Sequence, residues 1–159
     1  MAQEPENILR QHDLFHGLNK RGKALLQANR FEEALRTSRD ARDLAEGYLR
    51  QDPENEHWRG YLCVSHDRIG TILFKQGLYD EALQAYRDCL AIQERLEDRI
   101  PKTTVGQENI ARSHDKIGAT LIKLGRTDEG LKAQRDGHAI REGLPEVERA
   151  SREWRDGYF

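Results

Sequence analysis

The chain repeats itself at an interval of 48 residues. Gly22, Gly70 and Gly118 stand at that spacing, as do Leu25, Leu73 and Leu121, and Leu35, Leu83 and Leu131. Arg39-Asp40, Arg87-Asp88 and Arg135-Asp136 keep the same phase. So do Pro5, Pro53 and Pro101, while Trp58 and Trp154 are two periods apart. A fixed period of this size marks an array, in which one unit cannot bury its apolar face alone and stacks on the next. The chain therefore divides into three copies, about 5–52, 53–100 and 101–144, and the start of a fourth at about 145–157, all within one domain.

Each copy has the pattern of two helices. Asp52-Pro53-Glu54 predicts a helix start, with an N-cap acceptor, proline at the first helical position and acid in the first turn. Trp58, Leu62, Ile69 and Leu73 then recur at helical spacing. Gly77 predicts the stop, because glycine tolerates the left-handed conformation that ends helices. Asn29 and Gly125 are the equivalent stops. A second helix is predicted from about Tyr79, carrying Ala82, Leu83, Tyr86 and Leu90 on one face with Cys89 beside them. No segment alternates as a strand does, so the expected fold class is all-α, a solenoid of antiparallel helix pairs.

Composition narrows the function classes. Leu, Ile, Val and Phe number 34 of 159 residues, close to the level at which chains remain disordered. Their ordered spacing and a net charge of only -2 indicate instead a thin core spread along the array. Acidic residues outnumber basic ones 28 to 26, which gives no reason to expect nucleic acid as partner. The N-terminus MAQEPENILRQ lacks the charged and apolar regions of a signal peptide, and no apolar run reaches membrane-spanning length. Cys63 and Cys89 fit buried thiols in a reducing compartment better than a disulfide framework, so a cytoplasmic location is expected.

At the glycines the unit resembles the tetratricopeptide repeat. That family pairs a first-helix glycine with a small residue twelve positions later, as Gly22 with Ala34, Gly70 with Ala82 and Gly118 with Gly130. It also places a large residue sixteen positions after the glycine and a small one nineteen after; Tyr86 and Cys89 fit, Ser38, Ala41, Gln134 and Gly137 in part. GLYDEALQAYRDCLAI is typical of the family, and NRFEEALRTSRDA and GRTDEGLKAQRDG are weaker copies. The family's common period is 34, so the excess in each copy amounts to about four helical turns shared between two helices. The resemblance is to bacterial long-helix arrays and covers roughly residues 7 to 144. It implies a right-handed superhelix that binds a protein or peptide, without catalysis and without a cofactor.

Two motifs resemble chemistry. SHDRIG (Ser65 to Gly70) returns as SHDKIG (Ser113 to Gly118). Successive residues on a helix point about 100° apart, so serine, histidine and aspartate cannot converge as a triad, and the stretch is architectural. HDLFH places His12 and His16 at i, i+4, as in zinc-binding helices, but no third ligand is signalled and no metal site is expected. Phosphate loops are absent from the sequence. Arg149, Arg152 and Arg155 lie near aromatics, yet Glu146, Glu148, Glu153 and Asp156 dilute that charge.

The resemblance places the partner on a concave row of first-helix positions. Carried over, these are His16, Asn19, Lys23, Leu26 and Gln27; Val64, Asp67, Thr71, Phe74 and Lys75; and Arg112, Asp115, Ala119, Ile122 and Lys123. Family members that clamp a carboxylate present lysine, asparagine and arginine there, and Asp67 and Asp115 would repel such a ligand. The expected partner brings lysine or arginine to the two aspartates and an apolar anchor to Phe74; alternatively the aspartates pair with lysines of adjacent units. Trp154, Tyr158 and Phe159 of the fourth unit are a candidate cap, or a surface for a homodimer. A regulatory module that senses a small peptide is the other alternative to a scaffold.

Overall fold

The computed structural model describes residues 5–98 and 103–144. Within them lie α1 (Pro5–Gln27), α2 (Phe31–Gln51), α3 (Glu56–Lys75), α4 (Tyr79–Glu97), α5 (Thr104–Lys123) and α6 (Thr127–Glu142), and no strand. The helices group into two compact units, Met1–Cys89 and Leu90–Phe159, with the boundary inside α4.

The predicted stops are where the chain reverses. Asn29, Gly77 and Gly125 take φ values of 55°, 78° and 77°, the left-handed region that a side chain disfavours and glycine or asparagine tolerates. The predicted start of α3 is three residues early. Asp52 closes α2, donating its N–H to the Tyr48 carbonyl, and residues 53–54 form a turn. Asn55 is the N-cap, its side chain accepting from the Trp58 N–H at 3.2 Å. The Arg59 guanidinium folds back and donates to the Pro53 carbonyl, which holds that turn against the helix it precedes.

In the first unit, α1 and α2 run antiparallel. Near the turn Gly22 meets Ser38, and at the far end Phe15 packs with Ala41. Phe15, Ala41, Ala45 and Trp58 form the main core, joined by Leu18, Leu44, Tyr48, Leu49, Tyr61 and Leu62. Trp58 stacks on Tyr48 with centroids 4.3 Å apart, and Tyr61 stacks on Phe15 at 4.0 Å. A smaller core joins Leu25, Ala34 and Ile72. α3 and α4 repeat the antiparallel arrangement: Gly70 faces the Tyr86 ring, and Cys63 faces Cys89. Those cysteines correct the sequence reading. They are joined as a disulfide with Cα atoms 4.5 Å apart, not held as separate thiols. Spacing along the chain placed them on two helices, but only the crossing of those helices brings them together.

In the second unit α5 and α6 approach closest. A Cβ on Gly118 would lie 2.8 Å from the Gly130 carbonyl oxygen, and one on Gly130 would lie 2.7 Å from that of Gly118. At the other end a Cβ on Gly137 would lie 2.8 Å from the Ala111 carbonyl oxygen. The start of α5 is capped twice. Thr103 Oγ1 accepts from the Gly106 N–H at 3.0 Å, and the buried Glu97 carboxylate accepts from the Thr103 N–H at 3.2 Å and the Gln107 side chain at 3.3 Å.

The equivalents of Gly130 are Ala34 and Ala82, both fully buried. Gly130→Ala restores the residue its sister repeats carry, yet it is expected to destabilise the chain by about 1–3 kcal/mol, because the methyl group would meet backbone rather than a side chain that can turn aside. Chemical denaturation of the wild type and this variant tests it; equal midpoints would contradict the close approach.

Candidate functional site

The SHDRIG residues separate as helix geometry requires. Ser65 donates to the Tyr61 carbonyl one turn back at 3.0 Å. His66 turns toward α4, its Nδ1 3.7 Å from an Asp88 carboxylate oxygen. Asp67 is half-buried, and the stem of the next residue, Arg68, lies over Gly22. In the second copy Ser113 donates to the Gln93 side chain at 2.8 Å, and Asp115 accepts from Arg141. No catalytic triad is assembled from either stretch.

His12 and His16 do converge, on a tyrosine. The Tyr61 hydroxyl lies 2.9 Å from His12 Nδ1 and 3.1 Å from His16 Nε2, so it can donate to one ring and accept from the other. Burial pushes the Tyr61 hydroxyl above its ordinary pKa. Among the described residues no group of three or more histidine, cysteine or acidic side chains is arranged to hold a metal.

The first-helix rows differ between the units. In the first, Lys23 and Lys75 are exposed, Asn19 and Asp67 are half-buried, and Leu26 packs against the smaller core. Thr71 donates to the Asp67 carbonyl at 2.9 Å and accepts from the Tyr86 hydroxyl at 3.3 Å. Burial pushes that hydroxyl up to about 12, against the opposing effect of the bond to Thr71. The Phe74 ring sits edge-on to Tyr79 at 5.3 Å. In the second unit Lys123 is exposed and Ile122 is 37% exposed. Asp115 is held by Arg141 at 2.5 Å, and the same guanidinium reaches Glu108 at 3.3 Å.

The helix pairs, their stops and the glycine contacts match one family. The tetratricopeptide-repeat family model matches residues 67–99. Residues 67–99 therefore carry a tetratricopeptide repeat. Its fold is similar to that of the tetratricopeptide-repeat domain of Arabidopsis FLU, with a TM-score of 0.67 and 22% identity over 84% of this chain and 99% of that one. It is also similar to BtubC from P. vanneervenii, with a TM-score of 0.63 and 15% identity over 80% of this chain and 48% of that one. No curated protein matches the sequence. Tetratricopeptide repeats generally mediate protein–protein interaction, and the fold is generally a non-catalytic scaffold. No described helix is long and apolar enough to cross a membrane.

The carried-over positions lie on α1, α3 and α5, the first helices of their pairs, but their charges are not equally available. Arg141, on the second helix of the same repeat, holds Asp115. Sequence reasoning missed Arg141 because Ala45 and Gln93 occupy its place in the other copies, so it leaves no periodic signal. It missed Tyr61 for the same reason, the equivalent in α5 being Asn109. Trp154, Tyr158 and Phe159 lie outside the described residues.

Arg141→Ala leaves Glu108 and Asp115 without their shared cation. It is expected to destabilise the second unit by roughly 1–2 kcal/mol, and Asp115→Asn by less, because Asp115 is the more exposed acid. Denaturation midpoints of the two variants test this ranking. Burial, outweighing the Asp88 carboxylate, lowers the His66 pKa from its ordinary value. The unfolded chain then binds this proton more readily than the folded one, so the contribution of neutral His66 is whole above the ordinary histidine pKa and is lost as pH falls through it. Melting temperature is expected to drop less between about pH 7.5 and 5 in His66→Gln than in the wild type; parallel pH profiles would contradict this.

Proposed function

We propose that this chain is a non-catalytic interaction scaffold whose first-helix faces bind an acidic protein segment with an apolar anchor. The observation that carries the proposal is an asymmetry of pairing. Lys23 and Lys75 in the first unit, and Lys123 in the second, are exposed and make no ion pair among the described residues. The aspartates of the same rows are engaged within the fold: Asp115 is held by Arg141, and Asp67 is half-buried and has its own partner there. The charge left for a partner is therefore cationic, which reverses the basic partner that the sequence alone suggests. Half-buried Phe74 and the 39%-exposed Val64 supply apolar contact on α3 of the first unit.

Selection from a displayed random-peptide library tests this reading. Recovered peptides are expected to carry aspartate or glutamate beside an apolar residue and to bind more weakly as salt rises. Lys23→Glu with Lys75→Glu is expected to weaken them roughly tenfold or more, a loss of about 1.4 kcal/mol. Recovery of basic peptides, or affinity unchanged by the double reversal, would overturn the proposal.

A further inference from the structure

The two helices of every repeat cross at the same second place, seven residues before the glycine on the first helix and nineteen after it on the second. In the first repeat that crossing packs Phe15 with Ala41, and in the third it sets Ala111 against Gly137. Both crossings form without a bond. In the middle repeat the same two positions are Cys63 and Cys89, joined by the disulfide. The bond ties the α3–α4 pair about two helical turns inside the ends that lie away from the Gly77 turn, so it joins helices that the turn already connects.

We propose that Cys63 and Cys89 form a reversible redox clasp, one backbone arrangement serving both the disulfide and the dithiol. Three observations support this. The sister repeats build the crossing from apolar or small residues, and a cysteine thiol packs as a small hydrophobe. The Cα separation of 4.5 Å lies within the range a disulfide spans. Cys63 Sγ also lies 3.6 Å from the Cys89 carbonyl oxygen, so a reduced Cys63 has an acceptor for its thiol hydrogen without moving the helices.

The exchange needs a low-molecular-weight thiol. Cys63 is 7% exposed and Cys89 1%, so the thiolate reaches Cys63 first. It attacks Cys63 Sγ, the bond to Cys89 breaks, and Cys89 leaves as a thiolate that takes a proton. A second thiolate attacks the mixed disulfide and releases Cys63. In total, one protein disulfide and two thiols become one protein dithiol and one small disulfide. Oxidation by that small disulfide is the reverse sequence.

The test equilibrates the full chain in buffers of varied reduced and oxidised glutathione. Samples are quenched by alkylation under denaturing conditions and read by intact mass, with far-UV circular dichroism and melting on parallel samples. The expected result is one transition between chains carrying no label and chains carrying two, with equal helicity on both sides. The oxidised form is expected to melt roughly 5–10 °C higher, because the bond restricts the unfolded chain. Cys63→Ala with Cys89→Ala is expected to keep the helicity and lose the response to glutathione. Loss of helicity on reduction, failure to oxidise, failure to reduce, or a disulfide between two chains would each overturn the proposal.

Discussion

Close approach of two helix backbones is the constraint on which this structure depends. Each repeat meets it at two places along one helix pair: at the first-helix glycine, and at the crossing seven residues earlier. Every other choice in the repeat follows from what those places tolerate. The three repeats solve the first place differently. Gly22 accepts Ser38, Gly70 accepts the face of Tyr86, and Gly118 accepts Gln134 together with the backbone of Gly130. Smaller residues across the pair let the backbones draw nearer, and the pair with glycine on both sides is the tightest. Dense packing of this kind gains many weak dispersion contacts per residue. It helps explain how a chain with few large apolar residues holds a defined core.

A thin core leaves more of the structure to polar contacts, and these do not follow the repeat. Glu97 caps α5 from the end of α4, Arg59 pins the turn before α3, and Arg141 joins Asp115 to Glu108. Each involves a residue without a periodic counterpart of the same type, so each repeat is stabilised in its own way. The same asymmetry shapes the surface. Asp67 and Asp115 occupy one repeat position, yet only Asp115 has an Arg141 to grip it from the facing helix, the equivalent of Arg141 in the middle repeat being Gln93. The exposed lysines keep no such partner, and a repetitive scaffold thereby acquires a particular sign of charge.

The 48-residue period, read with the stop residues, made the helix pairs legible before any coordinates. Asn29, Gly77 and Gly125 reverse the chain where their conformational tolerance predicted, and Tyr79 opens α4 as expected. The start of α3 was placed three residues early, because Asp52 has the residue type of a cap but closes α2, and Asn55 accepts from the Trp58 N–H instead. The carried-over positions do lie on first helices, α1, α3 and α5, but the state of their charges was not legible. Pairing depends on what lies across a helix interface, and spacing along one chain does not carry that information.

The sequence by itself determined the class of fold, the number of helices in each copy and the first-helix glycines against which the second helix packs. These are local or periodic properties: a cap, a stop and a small residue act through backbone geometry that each copy restates. Tertiary structure alone decided that Cys63 meets Cys89, that Tyr61 lies between His12 and His16, and that Asp115 is spoken for by Arg141. Each is a contact between helices at one place in the array. Such a contact is set by how two particular surfaces cross, and a repeating pattern does not encode an event that happens once.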